Sequence, residues 1–89
     1  MKFKDFQELK NNVELLKNKD IPEEFVINGW TFEKIKAKII ESKVGNVQTW
    51  EIVYSNSQIE QSILLNVTVR YIKTKDELRI RTINNIELY

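Results

Sequence analysis

The sequence predicts an α+β domain: one N-terminal amphipathic helix packed on an antiparallel meander sheet of four or five strands. Three observations predict it. From Ile59 to Lys73 the odd positions read Ile59, Gln61, Ile63, Leu65, Val67, Val69, Tyr71, and the even positions are mostly polar. Successive side chains on a strand point to opposite faces, so this stretch is a long strand, expected at the centre of the sheet. Phe6, Leu9, Val13 and Leu16 recur instead at helical spacing. Finally, Asn28-Gly29 stands between two short apolar alternations, the strongest short-range signal for a hairpin. A chain of 89 residues has room for one modest core, so residues 1–89 are read as one domain.

In chain order, Asp5 is the expected N-cap, with Glu8 favouring the exposed first-turn amides. The helix is expected to run from Asp5 to Asn18, because Ile21-Pro22 forbids its continuation. In the following hairpin a type I′ turn pairs Ile27 with Trp30 and Phe25 with Phe32 on one face. Residues 33–42 fit helix or strand; strict alternation at Ile35-Lys36-Ala37-Lys38-Ile39 favours strand, with a bulge near Glu33–Lys34. Val44-Gly45-Asn46 is a turn. Val47 to Ser55 alternates again, with Trp50, Ile52 and Tyr54 on one side, and Ser55 to Gln58 forms a polar turn.

Thr74 to Glu77 makes the last hairpin loop. Setting Lys73 opposite Leu78 faces Tyr71 with Ile80, Leu65 with Ile86 and Ile63 with Leu88, so apolar meets apolar at nearly every step. The same register sets Arg70 opposite Arg81, and Ile72 opposite Arg79, on the sheet face away from the helix. Leu64, Ile83, Val53 and Val47 are expected on that face as well. Like charges directly opposed are mildly destabilising, and arginine beside aliphatic surface is typical of interfaces.

Bulk composition excludes more than it supports. Lys+Arg 14 against Asp+Glu 13 leaves a net charge of +1, and neither half of the chain is biased. No overall field therefore draws the protein to nucleic acid or to an anionic membrane. Without cysteine there is no disulfide and no thiolate metal site, and without histidine the commonest general base is missing. Gly29 and Gly45 are isolated, so no phosphate-cradling loop exists, and the serines have no histidine to activate them. Glu23-Glu24, Asp76-Glu77 and Glu51/Glu60 read as solvated charge. The expectation is a non-enzyme with no cofactor and no metal. No apolar run approaches the ~18 residues that cross a bilayer. The segment Met1 to Phe6 lacks the apolar core of a signal peptide, so the chain reads as cytoplasmic unless a leader has been removed.

The order of a helix followed by an antiparallel meander resembles the cystatin-like and NTF2-like folds. The likeness is one of topology over most of the chain, and no motif accompanies it. Such folds host inhibitors, ligand binders and assembly subunits. The leading functional expectation is a non-enzymatic interaction module, of inhibitor, immunity or accessory-subunit type. It would bind a protein partner, or a second copy as a homodimer, through Leu64, Arg70, Ile72, Arg79, Arg81 and Ile83. The alternative is nucleic-acid binding by Arg79 and Arg81 with Lys34, Lys36 and Lys38, which alternation places on one face. Those lysines equally suit the blunting of an edge strand. A third reading is a small-ligand pocket between helix and sheet, lined by Phe6, Trp30, Trp50 and Tyr71.

Overall fold

In the computed structural model, which describes residues 1–89, the chain builds one six-stranded sheet whose spatial order follows the sequence. Its elements are β1 (Lys2–Phe3), α1 (Phe6–Asn11), a 3-10 turn (Val13–Leu16), β2 (Glu24–Ile27), β3 (Trp30–Lys43), β4 (Val47–Asn56), β5 (Gln61–Ile72) and β6 (Glu77–Leu88). β1 runs parallel to β2, and every later neighbour is antiparallel. Strands hold 61% of the residues and helical turns 11%, and the sheet curls into a half-barrel. The expected α+β architecture is thereby corrected. The sheet has six strands rather than four or five, no long helix lies across it, and the cystatin-like or NTF2-like topology does not hold. β5, expected at the centre, is the second strand from one edge.

The helix begins where the sequence places it and stops early. Asp5 Oδ1 accepts from the Glu8 amide at 2.8 Å, and the Glu8 carboxylate accepts from the Lys4 amide at 2.6 Å. The regular ladder ends at Asn11 rather than Asn18. The Asn12 side-chain amide donates to the Glu8 carbonyl at 2.7 Å, competing with the backbone for it. The Asn12 backbone amide turns to the Leu9 carbonyl at 3.0 Å, and the chain tightens into the 3-10 turn. The apolar spacing still has its effect. Leu9 and Leu16 are fully buried on the concave face of the sheet, and Phe6 and Val13 pack against them.

After Asn18, at φ 63°, the chain becomes a strap across the mouth of the half-barrel. The Asn18 amide donates to the Ile80 carbonyl at 2.8 Å, and the Ile80 amide to the Lys19 carbonyl at 2.9 Å, so the strap starts on the edge of β6. The Tyr54 hydroxyl of β4 donates to the Pro22 carbonyl at 2.7 Å. Lys34 of β3 then meets Glu23 twice, through its backbone amide at 3.0 Å and its ammonium at 2.9 Å. Beneath helix and strap lies one core, in which Phe25 and Tyr54 meet edge-on with ring centroids 4.7 Å apart. It includes Ile52 from β4, Ile63, Leu65, Val67 and Val69 from β5, and Ile80 and Ile86 from β6.

The β2–β3 hairpin has the expected register, Ile27 to Trp30 and Phe25 to Phe32, with Asn28 at φ 52° and Gly29 at φ 79°. Residues 33–42 are strand, but the bulge falls between Lys34 and Lys36, and a second one between Ile39 and Glu41. In β5–β6 the half remote from the turn is as expected, with Leu65 opposite Ile86 and Ile63 opposite Leu88. The half next to the turn is corrected by two irregularities in β6. Arg81 is left over between Thr82 and Ile80, and Asn84 between Asn85 and Ile83. Arg70 therefore opposes Arg79, Tyr71 opposes Leu78 and Ile72 opposes Glu77.

A basic end on the convex sheet face

The corrected registers give a map of the convex face. One cross-strand row reads Lys43, Val47, Arg70, Arg79 from β3 to β6. The next contains Glu41, Thr49, Thr68 and Thr82, and the one after it Lys38, Glu51, Asn66 and Asn85. Directly opposed side chains leave the sheet about 5 Å apart, so Arg70 and Arg79 are neighbours, while Val47 separates Arg70 from Lys43. Behind them lies a polar band: the Asn84 side-chain amide donates to Asn66 Oδ1 at 3.0 Å and to Thr68 Oγ1 at 3.1 Å. Lys36, Val53, Leu64 and Glu87 occupy the row beyond that band.

At the basic end, Asn18, Arg70, Ile72, Lys75, Arg79, Ile80 and Arg81 line a shallow cleft of about 560 Å³. Arg79 is its fixed member. Its guanidinium donates to Glu77 Oε2 at 2.7 and 3.1 Å, and it lies 3.6 Å from Asp20 on the strap. Arg70, Arg81 and Lys75 make no ion pair. The carboxylate of Asp76, in the same turn as Lys75, accepts a hydrogen bond from the Tyr71 hydroxyl and is turned to that purpose. This hydrogen bond, more than anything else around it, holds the Tyr71 phenol above its ordinary pKa. The end of the sheet thus carries surplus positive charge in a protein whose net charge is only +1.

Four of the expected partner-binding residues, Arg70, Ile72, Arg79 and Arg81, come together in this cleft. The other two do not. Ile83 faces the concave side opposite Val67 and packs on the core, because the irregularity at Asn84 shifts its parity. Leu64 is on the convex face but beside Val53, beyond the Thr/Asn band. Lys75, Asn18 and Ile80 complete the cleft; the hairpin loop hinted at Lys75, but nothing hinted at Asn18, and Ile80 was expected only in the core.

The lysines of β3 are divided. The bulge at Ile35 sends Lys34 to the concave side, opposite Tyr54 and tied to Glu23, while Lys36 and Lys38 point to the convex side. They do not form the continuous track that the nucleic-acid reading needs. The four aromatic side chains of the ligand reading are also separated. Phe6 and Trp30 line a cleft of about 340 Å³ at one end, and Trp50 another of about 450 Å³ under the strap with Leu78 and Ile21. Tyr71 belongs to neither cleft. No group of three acidic side chains is disposed to hold a metal ion, and no helix is long and apolar enough to cross a membrane. In comparisons with known proteins, no family model, curated protein or solved structure matches this chain.

Proposed function

We propose that the protein is a non-enzymatic interaction module, of inhibitor, immunity or accessory-subunit type, which binds an acidic surface of a protein partner through the basic end of its convex face. The observation that carries this reading is the convergence of Arg70, Lys75 and Arg81, all without ion-pair partners, on a cleft that Ile72 also lines. Arg79, clamped by Glu77 and Asp20, acts as a rigid wall rather than as a free contact. Exposed ion pairs are worth only about 0–1 kcal/mol each, so these cations mainly steer the encounter and fix its orientation. Burial of Ile72 and Val47 adds the apolar contribution.

The test is affinity capture with wild-type and Arg70→Glu/Arg81→Glu baits side by side, followed by mass spectrometry. A protein with an acidic surface, held by the wild type and lost by the double variant, is the expected result. Identical capture by both baits disposes of the reading. A low-salt gel shift with RNA and duplex DNA is the companion measurement. Retardation that the same double variant abolishes would transfer the site to nucleic acid, whose binding falls steeply with salt.

A further inference from the structure

The chain covers the open edges of its sheet only in part. On β6 the strap hydrogen-bonds to both backbone polar groups of Ile80 and to the backbone of no other residue of that strand. On β3, pairing with β2 ends at Glu33, and the last bond on that side is the Lys34 amide to the Glu23 carbonyl. From Ile35 to Lys43 the strand is bonded to β4 alone, which leaves a bare edge about 30 Å long. Large apolar residues are exposed along it: Ile35 at 64%, Ile39 at 47% and Ile40 at 45%. An unpaired strand edge is a template for another strand, and apolar side chains beside it strengthen the hazard.

We infer that this edge of β3 accepts an extended segment of a partner protein in which acidic and apolar residues alternate. The two sides of the strand specify that pattern. On the convex side stand Lys36, Lys38 and Lys43, with Glu41 the one acid among them. On the concave side stand Ala37 and Ile39, continuous with Trp50 opposite Ile39. An added strand with acids on the first side and aliphatics on the second meets opposite charge and apolar surface at once. A second copy of this chain is the poorer fit. Antiparallel pairing of two β3 edges would set lysine-rich strands against each other, the arrangement by which edges are protected from self-association. This surface lies across the sheet from the β6 cleft and does not depend on the reading given to that cleft.

The probe is a capped, fluorescein-labelled octapeptide alternating valine and glutamate. Fluorescence anisotropy measures its binding, and amide hydrogen exchange by NMR locates it. The expected result is saturable binding with new protection confined to the amides of residues 35–43. Affinity is expected to fall tenfold or more for Lys36→Glu/Lys38→Glu, whose exposed positions leave the fold intact, and for the peptide N-methylated at every second residue. Equal binding of the N-methylated peptide would reduce the effect to charge attraction and overturn the inference. So would loss of binding in Arg70→Glu/Arg81→Glu but not in the lysine variant, which places the peptide at the other site. Protection of residues 35–43 in the free protein that grows with concentration, together with a rising sedimentation coefficient, would assign the edge to a second copy and equally overturn it.

Discussion

The hydroxyl of Tyr54 donates a 2.7 Å hydrogen bond to the carbonyl of Pro22, and this bond seats the strap on the sheet between its anchors at Ile80 and Lys34. Tyr54→Phe keeps the ring against Phe25 but leaves the Pro22 carbonyl without its donor. A loss of about 1–2 kcal/mol is expected in urea unfolding at neutral pH.

The same residue sets a pH dependence. Burial first, and the nearby Glu23 carboxylate second, push the Tyr54 phenol far above its usual 10.0. A folded-state pKa above the unfolded one means that the native state holds its proton longer. The contribution is fully present below pH 10 and is lost as pH rises beyond it. Wild-type stability is expected to fall between pH 10 and 12, and Tyr54→Phe to fall less steeply over that interval. Equal slopes in pH-dependent chemical denaturation would remove this account.

The helical segment tests itself by position. Leu16→Ala empties a fully buried site, and about 2–5 kcal/mol of stability should be lost. Its neighbour Leu15 is 52% exposed, and Leu15→Ala should change stability by less than about 0.5 kcal/mol. Comparable losses from both would mean that the inward stripe is misplaced.

Gly29→Ala isolates backbone strain, because no atom beyond its two chain neighbours stands within 4 Å of where its Cβ would be, while φ is 79°. The cost is therefore conformational, about 1–2 kcal/mol. Thermal unfolding by circular dichroism measures it, and the rest of the fold should be unchanged.

At the C-terminal end, the Tyr89 hydroxyl and then the Asn85 side-chain amide donate to Glu87 and lower its carboxylate pKa. The folded value lies below the unfolded one, so the small stabilisation it brings is present above the ordinary glutamate range and lost as pH falls. In an NMR titration Glu87 should titrate below the ordinary glutamate range, and Tyr89→Phe should bring it back towards that range.

Legibility in the sequence depended on the kind of signal. The alternation of β5, the Asn28-Gly29 turn and the remote half of the β5–β6 register could be read, because each rests on a period of two or on a specific turn chemistry. Phe6, Leu9, Val13 and Leu16 identified the face that covers the core, but not how the backbone would deliver it. Asn12, bonding back to the Glu8 carbonyl, converts the expected helix into two short turns. A two-residue strand such as β1 cannot display a period at all. The bulges at Ile35, Arg81 and Asn84 carry no residue signature, yet each reverses the facing of the residues beyond it until another offsets it. That is why Arg70 met Arg79 and not Arg81, why Ile83 joined the core, and why the lysines of β3 parted. The basic cluster survived because Arg70, Ile72, Arg79 and Arg81 all lie within reach of one hairpin turn.

The sequential strand order has a kinetic consequence. From β3 to β6 every strand pairs with the one that immediately precedes it, across a turn of a few residues. Loop-closure entropy is therefore small at each step, and the meander can assemble as a succession of local hairpins. Docking of the strap on Ile80 joins residues 18 and 80, the longest such closure in the backbone hydrogen-bond network. Mutations in the β4–β5–β6 meander should thus act mainly on the folding rate, and those in the strap on the unfolding rate.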